Sequence, residues 1–332
     1  MRVLITGGAG FIGSHLADKL LREQHQVTVL DDLSTGSVEN IAHLLDDPKF
    51  TFQQDSIFNR ELLAARIAEC DIVYHLAAAV GVKRIIQSPV ETIETNVAGT
   101  DAVLRLAAAH STRTVIASTS EVYGKSTRLP FREEDDLVLG PTTHARWSYA
   151  CSKAIDEFLA LAFYRQFRLP VTVVRLFNTV GPRQSGRYGM VVPTLVVQAL
   201  RGEPLTVFGS GQQSRCFTHV FDIVEGLASL APCRAAIGNI YNLGATEETS
   251  INHLAQLVVA ATRSASQIVH VPYEQAYEPG FEDVDRRLPD INKAQAAFGF
   301  HPTRDLHQIL ADVIDDLRTR LQLQSHSTAP GS

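Results

Sequence analysis

Cysteine is scarce in this chain of 332 residues: there are four, Cys70, Cys151, Cys216 and Cys233, and no two form a CxxC pair. That scatter among apolar neighbours excludes a disulfide framework and a thiolate zinc site, and predicts buried, reduced thiols. The twelve histidines contain no HExxH or similar ligand spacing, so no metal is expected. Long apolar runs are also missing; none approaches the roughly 18 residues needed to span a bilayer. The first residues, MRVLITGGAGFIG, hold one basic residue and then glycines, which does not read as a signal peptide. Charge of one sign is not in excess either. Thirty basic residues face 36 acidic ones, and the net charge of −6 is spread along the chain, which argues against a nucleic-acid or membrane-surface partner. A cytoplasmic location is expected.

What is present is the composition of an ordinary globular protein, 45% hydrophobic and 20% charged, with length for one large α/β domain or two smaller ones. Short β-branched runs recur: RVLIT (2–6), VTVLD (27–31), DIVYHLA (71–77), TVIAS (114–118) and VTVVRLF (171–177). They are apolar on both faces, as strands of a helix-covered parallel sheet must be. Between them lie FIGSHLADKLLREQ, RELLAARIAE, VAGTDAVLRLAAAH and SYACSKAIDEFLALAFYRQF, with apolar residues at helical spacing. The alternation predicts a Rossmann-type doubly wound parallel sheet over residues 1–178. Beyond the basic glycine-rich loop GPRQSGRYG the pattern becomes mixed, with helices near 191–201, 251–263, 290–298 and 305–321 and short strands such as LTVFG. A smaller α/β substrate domain over 179–321 is expected, interleaved with the first because part of 216–245, notably IYNLG, returns to the sheet. The polar tail 322–332 is expected to be disordered.

TGGAGFIGS places Gly8, Gly10 and Gly13 in GxGxxG spacing directly after the first strand and at the start of the first helix, with Gly7 ahead of them. Such a turn lets backbone approach a pyrophosphate, which then faces the free N–H groups and positive dipole end of the helix. Asp31, at the end of the second strand, stands where a carboxylate accepts hydrogen bonds from adenosine ribose hydroxyls. Asp32-Leu33-Ser34-Thr35 offers no cation for a 2′-phosphate, so NAD is expected rather than NADP.

WSYACSKAIDEF places Tyr149 and Lys153 four apart on one helix face. An ammonium beside the phenol would lower a pKa that is ordinarily near 10 and make the tyrosine usable as a base. Thr119 at the end of the TVIAS strand is positioned to polarise the same substrate oxygen. It opens the polar stretch Thr119-Ser120-Glu121, unusual at a strand end.

These features, with HLAA (75–78), NVAGT (96–100), STSEVYG (118–124), RLFNTVGPRQ (175–184) and GEPLTVFGSGQQSRCFTHV (202–220), resemble the extended short-chain dehydrogenase/reductases that act on nucleotide sugars. The resemblance runs from residue 1 to about 320. It implies a catalytic triad of Thr119, Tyr149 and Lys153. It implies cofactor contacts from Gly7, Gly10, Phe11, Ile12 and Gly13, then from Asp31, Asp32, Ser34, Thr35 and Gly36. Asp55 and Ser56 after the third strand would meet adenine, and Leu76, Ala77, Ala78, Asn96 and Ser118 would complete the cofactor wall. Asn178 and Arg215 would contact the nucleotide diphosphate, Thr206 and Phe208 in LTVFG would line the base pocket, and Arg187 and Val192 would also meet the substrate. A UDP-sugar substrate, reversible oxidation at sugar C4 and a homodimer through helices near 89–110 and 145–168 are further implications.

Which reaction follows oxidation turns on Ser120 and Glu121. A 4,6-dehydratase of this family has an aspartate at the position of Ser120, and a 4-epimerase has smaller residues around Glu121. UDP-glucuronate decarboxylases have Thr-Ser-Glu and, late in the chain, an arginine two residues before a proline, matched by Arg287 and Pro289 in EDVDRRLPDI. Decarboxylation is the expectation. Epimerisation, dehydration and a catalytically inactive NAD-binding scaffold are the alternatives. Arg287 would pair with a substrate carboxylate, unless it forms a surface ion pair with Asp283 or Asp285.

Overall fold

The computed structural model describes residues 1–79, 88–186, 189–276 and 284–327. Seven strands form one wholly parallel sheet: β1 (Arg2–Thr6), β2 (Gln26–Asp31), β3 (Phe50–Gln54), β4 (Ile72–His75), β5 (Arg113–Thr119), β6 (Val171–Leu176) and β11 (Ile240–Leu243). Their spatial order is β11-β6-β5-β4-β1-β2-β3, the Rossmann arrangement expected, with β11 paired to β6 at the far edge. β3 was not among the strands read from periodicity, because FTFQQ keeps only Phe50 buried and has a half-polar edge.

Three helices cover one face: α2 (Arg60–Glu69), α3 (Pro89–His110) and α4 (Arg146–Phe167). Their apolar faces close over Leu4, Val73, Ile116 and Val173. The other face is covered by α1 (Phe11–Arg22) and α6 (Val220–Leu230), packed on Val3, Ile5, Tyr74 and Val115. α6 has no counterpart in the sequence reading, although VFDIVEGLASL is amphipathic and buries Ile223, Val224, Leu227 and Leu230. Helix ends follow local chemistry. Asn59 accepts from Leu62 N at the start of α2, and Ser111 and Arg168 stop α3 and α4 in left-handed conformation.

The remaining helices are α5 (Val191–Arg201), α7 (Ile251–Thr262), α8 (Tyr273–Ala276), α9 (Asn292–Phe298) and α10 (Leu306–Ser327). α5, α7 and α10 pack around Leu195, Leu254 and Ile309 as a second core. Short strand sets, separate from the large sheet, complete this region: β7 (Thr179–Val180) with β10 (Thr218–His219), β8 (Leu205–Phe208) with β13 (Ile268–Val271), and β9 (Ser214–Cys216) between β12 (Glu248–Ser250) and β14 (Arg286–Arg287). α10 runs to Ser327, docked through Ile309, Val313 and Leu317, and residues 328–332 of the expected tail lie outside the described residues. All four cysteines are free, but only Cys216 is buried. Cys151 is exposed, which corrects the expectation of buried thiols: its position two residues from Tyr149 turns it to the outer face of α4. No helix among the described residues is long and apolar enough to cross a membrane.

Candidate active site

Strand order reverses between β1 and β4, and at such a point the carboxyl ends of the strands leave a crevice. Here it widens into a cavity of about 1830 Å³ bounded by the sheet on one side and by α5, β8, β9 and β14 on the other.

At the sheet end the glycine turn divides into two kinds of position. Gly7 has φ +72°, and a Cβ there would fall 2.7 Å from Ala77 N; at Gly13 it would fall 2.4 Å from Gly7 O. Packing of the chain on itself requires both. A Cβ at Gly10 would meet only Gly7 O, at 3.1 Å, and Gly10 precedes α1 without any side-chain cap. The missing side chain there keeps the helix N-terminus open to the cavity, which suits a pyrophosphate. Asp31 is buried, accepting from Ala9 N (2.9 Å) and Leu33 N (2.8 Å), so its carboxylate is fixed and still has lone pairs for two hydroxyls. Burial is the main reason its pKa is raised, and the backbone N–H bonds oppose it. Asp32 and Glu39 stand nearby in the same wall, where a 2′-phosphate would meet carboxylates. The residues therefore fit NAD.

Phe11, Ile12, Ser34, Thr35, Gly36, Asp55, Ser56, Leu76, Ala77, Ala78 and Ser118 all line the cavity. Asn96 does not. It is buried behind the wall, accepting from Ala79 N (2.9 Å) and donating to Ser152 Oγ (3.1 Å), because its position on α3 faces α4. Ser118 is engaged too, donating to Glu157 Oε1 at 2.5 Å, where Arg175 closes a buried two-pronged ion pair with Glu157.

In the middle of the cavity Thr119, Ser120, Glu121, Tyr149, Lys153 and Arg287 converge from β5, the 3-10 turn after it, α4 and β14. The electrostatics depart from the sequence expectation in one respect. Lys153 Nζ lies 2.5 Å from Asp156 Oδ2, both side chains almost wholly buried. The Tyr149 pKa is pushed up, chiefly by burial and then by the charges of Glu121 and Asp156, with a hydrogen bond from Thr119 opposing. Lys153 is thus present on the same face, yet its charge is balanced by a carboxylate that the YxxxK spacing could not reveal. His75, held between Thr6 and Thr100, has its pKa lowered to about 3 by burial and by Lys153, so it is neutral at any working pH.

Arg287 is buried, and its Nη1 lies 2.6 Å from Glu121 Oε1. The surface pairing with Asp285 is not what is found. The Asp285 carbonyl accepts instead from Ser214 N and Arg215, while Asp283 lies outside the described residues. Pairing of β14 with β9 carries Arg287 across to Glu121, a contact between positions 166 apart that no local pattern encodes. Sequence reasoning missed Arg146. It lies three residues before Tyr149, hence on the same face of α4, and its Nη2 is 3.7 Å from Glu121 Oε2. ARWSY carried that signal. Glu121 therefore sits between two guanidiniums.

At the far end Asn178, Val192, Thr206, Phe208 and Arg215 line the wall. Asn178 Oδ1 is buried without a hydrogen-bond partner among the described residues, and a buried amide oxygen of this kind can accept from a ligand. Arg187 lies outside the described residues. Among the described residues no three His, Cys, Asp or Glu side chains are grouped as metal ligands.

Residues 4–313 match the family model described as GDP-mannose 4,6 dehydratase. The chain is 42% identical over 319 residues to a UDP-N-acetyl-alpha-D-glucosaminuronate decarboxylase of Bacillus cytotoxicus, covering 96% of this chain and 98% of that protein. It is 37% identical to UDP-glucuronic acid decarboxylase 1 of Danio rerio, covering 98% and 75%. A UDP-glucuronic acid 4-epimerase from Bacillus cereus, solved with UDP-glucuronic acid and NAD, superposes with a TM-score of 0.87 at 28% identity, over 96% of this chain and all of that one. With the Rossmann sheet, the glycine turn and the Thr119–Tyr149–Lys153 cluster in one cavity, the chain belongs to the extended short-chain dehydrogenase/reductase family of NAD-dependent nucleotide-sugar epimerases, dehydratases and decarboxylases.

Proposed function

We propose that this protein decarboxylates a UDP-linked uronic acid, and the observation that carries the choice is Glu121 held between Arg287 and Arg146 in the cavity beside Tyr149. A neutral hexose offers two guanidiniums at this point only uncharged hydroxyl acceptors. A sugar carboxylate gives them a planar, charged partner.

NAD, when bound, supplies the acceptor for the hydride of sugar C4 and its later return. Tyr149 takes the proton of the 4-hydroxyl, and Thr119 holds the same oxygen in place. Lys153 and Asp31 contact the ribose hydroxyls of the cofactor, and Gly10 leaves its pyrophosphate room at the end of α1. Oxidation at C4 makes the sugar a β-keto acid. The C5–C6 bond then breaks, its electron pair moves toward the C4 oxygen, and neutral CO2 departs. Arg287, shared between Glu121 and the substrate carboxylate, orients that carboxylate without fully neutralising it. Loss of CO2 relieves the repulsion between the two carboxylates, a gain realised in the transition state. Ser120 and Glu121 then manage the proton delivered to C5. Arg215 and Asn178 hold the diphosphate, and Thr206 and Phe208 border the base.

The protein acts as a homodimer in this proposal. α3 and α4 pack on each other and expose Val90, Ile93, Ile155, Phe158 and Phe167, with Phe158 71% exposed. A second copy of the same helix pair would cover these residues as a four-helix contact.

The test is incubation with UDP-glucuronate, UDP-N-acetylglucosaminuronate and UDP-glucose, following product mass. Release of CO2 from either uronate supports the proposal, and the better of the two identifies the substituent at C2. An unchanged mass with inversion at C4, or loss of water from UDP-glucose, would replace it by epimerisation or dehydration. Tyr149→Phe should abolish turnover in every case.

A further inference from the structure

The chain segments that carry Glu121 and Arg287 meet again behind the cavity wall, in a buried polar knot centred on Asn242. Asn242 lies on β11, fully buried, and its sequence neighbours Tyr241 and Leu243 pack into the core. A valine would suit such a strand position, and an amide there costs free energy unless it is bonded throughout. Here it is. Its Oδ1 accepts from the Tyr123 hydroxyl at 2.8 Å, and its Nδ2 donates to the carbonyls of Phe131 (2.9 Å) and Asp290 (3.1 Å).

These partners belong to the two segments that bear the charged pair. Tyr123 closes the 3-10 turn Ser120–Tyr123, two residues after Glu121. At about three residues per turn the two side chains point in different directions, Tyr123 into the core and Glu121 into the cavity. Asp290 lies three residues after Arg287. Phe131 joins the segments: its N–H donates to Leu288 O (2.8 Å), its carbonyl also accepts from Asp290 N (2.8 Å), and its ring stacks on Tyr123 at 4.5 Å. β14 consists of Arg286 and Arg287 alone, so its pairing with β9 is a short hold on the arginine. Asn242 supplies a second hold on the other side. One amide thus fastens both members of a pair whose Nη1–Oε1 contact is 2.6 Å.

We propose that Asn242 is a positioning residue that sets Arg287 against Glu121 and so fixes where a sugar carboxylate is received. The inference rests on the reading of this pair as the carboxylate site. Asn242 stands behind the cavity wall rather than in it, and acts through Tyr123 on the turn and through Asp290 on the segment after β14. Such action matters because a hydrogen bond weakens steeply once its angle departs from linearity, and a misplacement of about 1 Å can cost on the order of a hundredfold. A neutral sugar places no charge at this point and gains nothing from the arrangement.

The experiment is isothermal titration of the NAD-loaded Tyr149→Phe protein, in which turnover is blocked, with two matched pairs of sugars. The first is UDP-glucuronate and UDP-glucose; the second is UDP-N-acetylglucosaminuronate and UDP-N-acetylglucosamine. The ratio of dissociation constants within a pair measures preference for the carboxylate. Adding Tyr123→Phe removes one hydroxyl, keeps the stacked ring and should lower that preference about fivefold. Adding Asn242→Ala removes all three bonds and should lower it about tenfold or more, with the neutral sugars nearly unaffected in both variants. Thr172→Val is the control for a lost buried hydrogen bond, since Thr172 Oγ1 donates to Ala236 O (3.0 Å) at the opposite end of β6 from the cavity. It should lower the melting temperature and leave the preference alone. If Tyr123→Phe and Asn242→Ala do the same, the amide is purely structural and the proposal is overturned. Should Asn242→Ala not fold, Tyr123→Phe decides by itself. A Tyr149→Phe parent without preference in either pair overturns the carboxylate reading and this inference with it. A preferring parent with unmoved variants overturns this inference alone.

Discussion

Replacing Arg287 by Gln tests the central electrostatic feature of the site. At 2.6 Å the guanidinium and the Glu121 carboxylate attract by about 6 kcal/mol gross, taking an effective dielectric constant near 20. Desolvating an arginine side chain that is only 8% exposed takes back a large part, and removing one partner of such a charge pair typically costs about 2–5 kcal/mol. The protein itself should lose less. Glu121 keeps Arg146 at 3.7 Å and is 24% exposed, so water and the second guanidinium compensate, and a fall of about 1 kcal/mol in unfolding free energy is expected. The sugar carboxylate has no such substitute. Taking about 3 kcal/mol as the lost stabilisation, kcat/KM for the uronate should drop on the order of a hundredfold. Oxidation at C4 of UDP-glucose, followed by reduced-nicotinamide absorbance, should change by no more than a few-fold, since it places no charge beside Arg287. Both rates are measurable on one preparation, with thermal denaturation as control. Equal losses on the charged and neutral sugars, or undiminished decarboxylation, would refute the assignment of Arg287 to the carboxylate.

Gly13→Ala should abolish NAD retention and destabilise the fold by about 1–3 kcal/mol, because its Cβ would lie 2.4 Å from Gly7 O in backbone that cannot yield; Gly10→Ala should weaken NAD binding while leaving the apoprotein's melting temperature nearly unchanged. Isothermal titration and melting curves separate the two. Phe158→Asp should convert the dimer to a monomer in light-scattering chromatography, and a persistent dimer would move the interface away from α4. Burial lowers the pKa of His15 to about 4 and of His75 to about 3, from 6.5. The unfolded chain therefore takes up protons that the folded one refuses as pH falls below 6.5, so stability is full above that value and declines below it. Each histidine contributes a slope of at most about 1.4 kcal/mol per pH unit. Urea unfolding between pH 7 and pH 5 should show the decline, His75→Asn should lessen it, and a flat profile would show that neither ring is held neutral by burial.

Much of this protein was legible from sequence because its signals are local. The strand runs around Ile5, Val29, Val115 and Val173 are apolar on both faces, and that alone requires helices on both sides of a parallel sheet. The glycine turn, Asp31 and the Tyr149–Lys153 spacing follow from short-range geometry, which tertiary packing preserved. Tertiary structure decided what depends on distant segments meeting. The sequence order leaves Arg287 free to be a surface residue, and only the pairing of β14 with β9 brings it to Glu121. Asn96 faces α4 rather than the cofactor wall because helix rotation, not spacing, sets which residue of α3 reaches the cavity. Asp156 lay in plain view in SKAIDEF. Its role as counter-ion to Lys153 emerged only when burial made a lone ammonium too costly, so that Coulomb attraction across one turn of α4 became decisive.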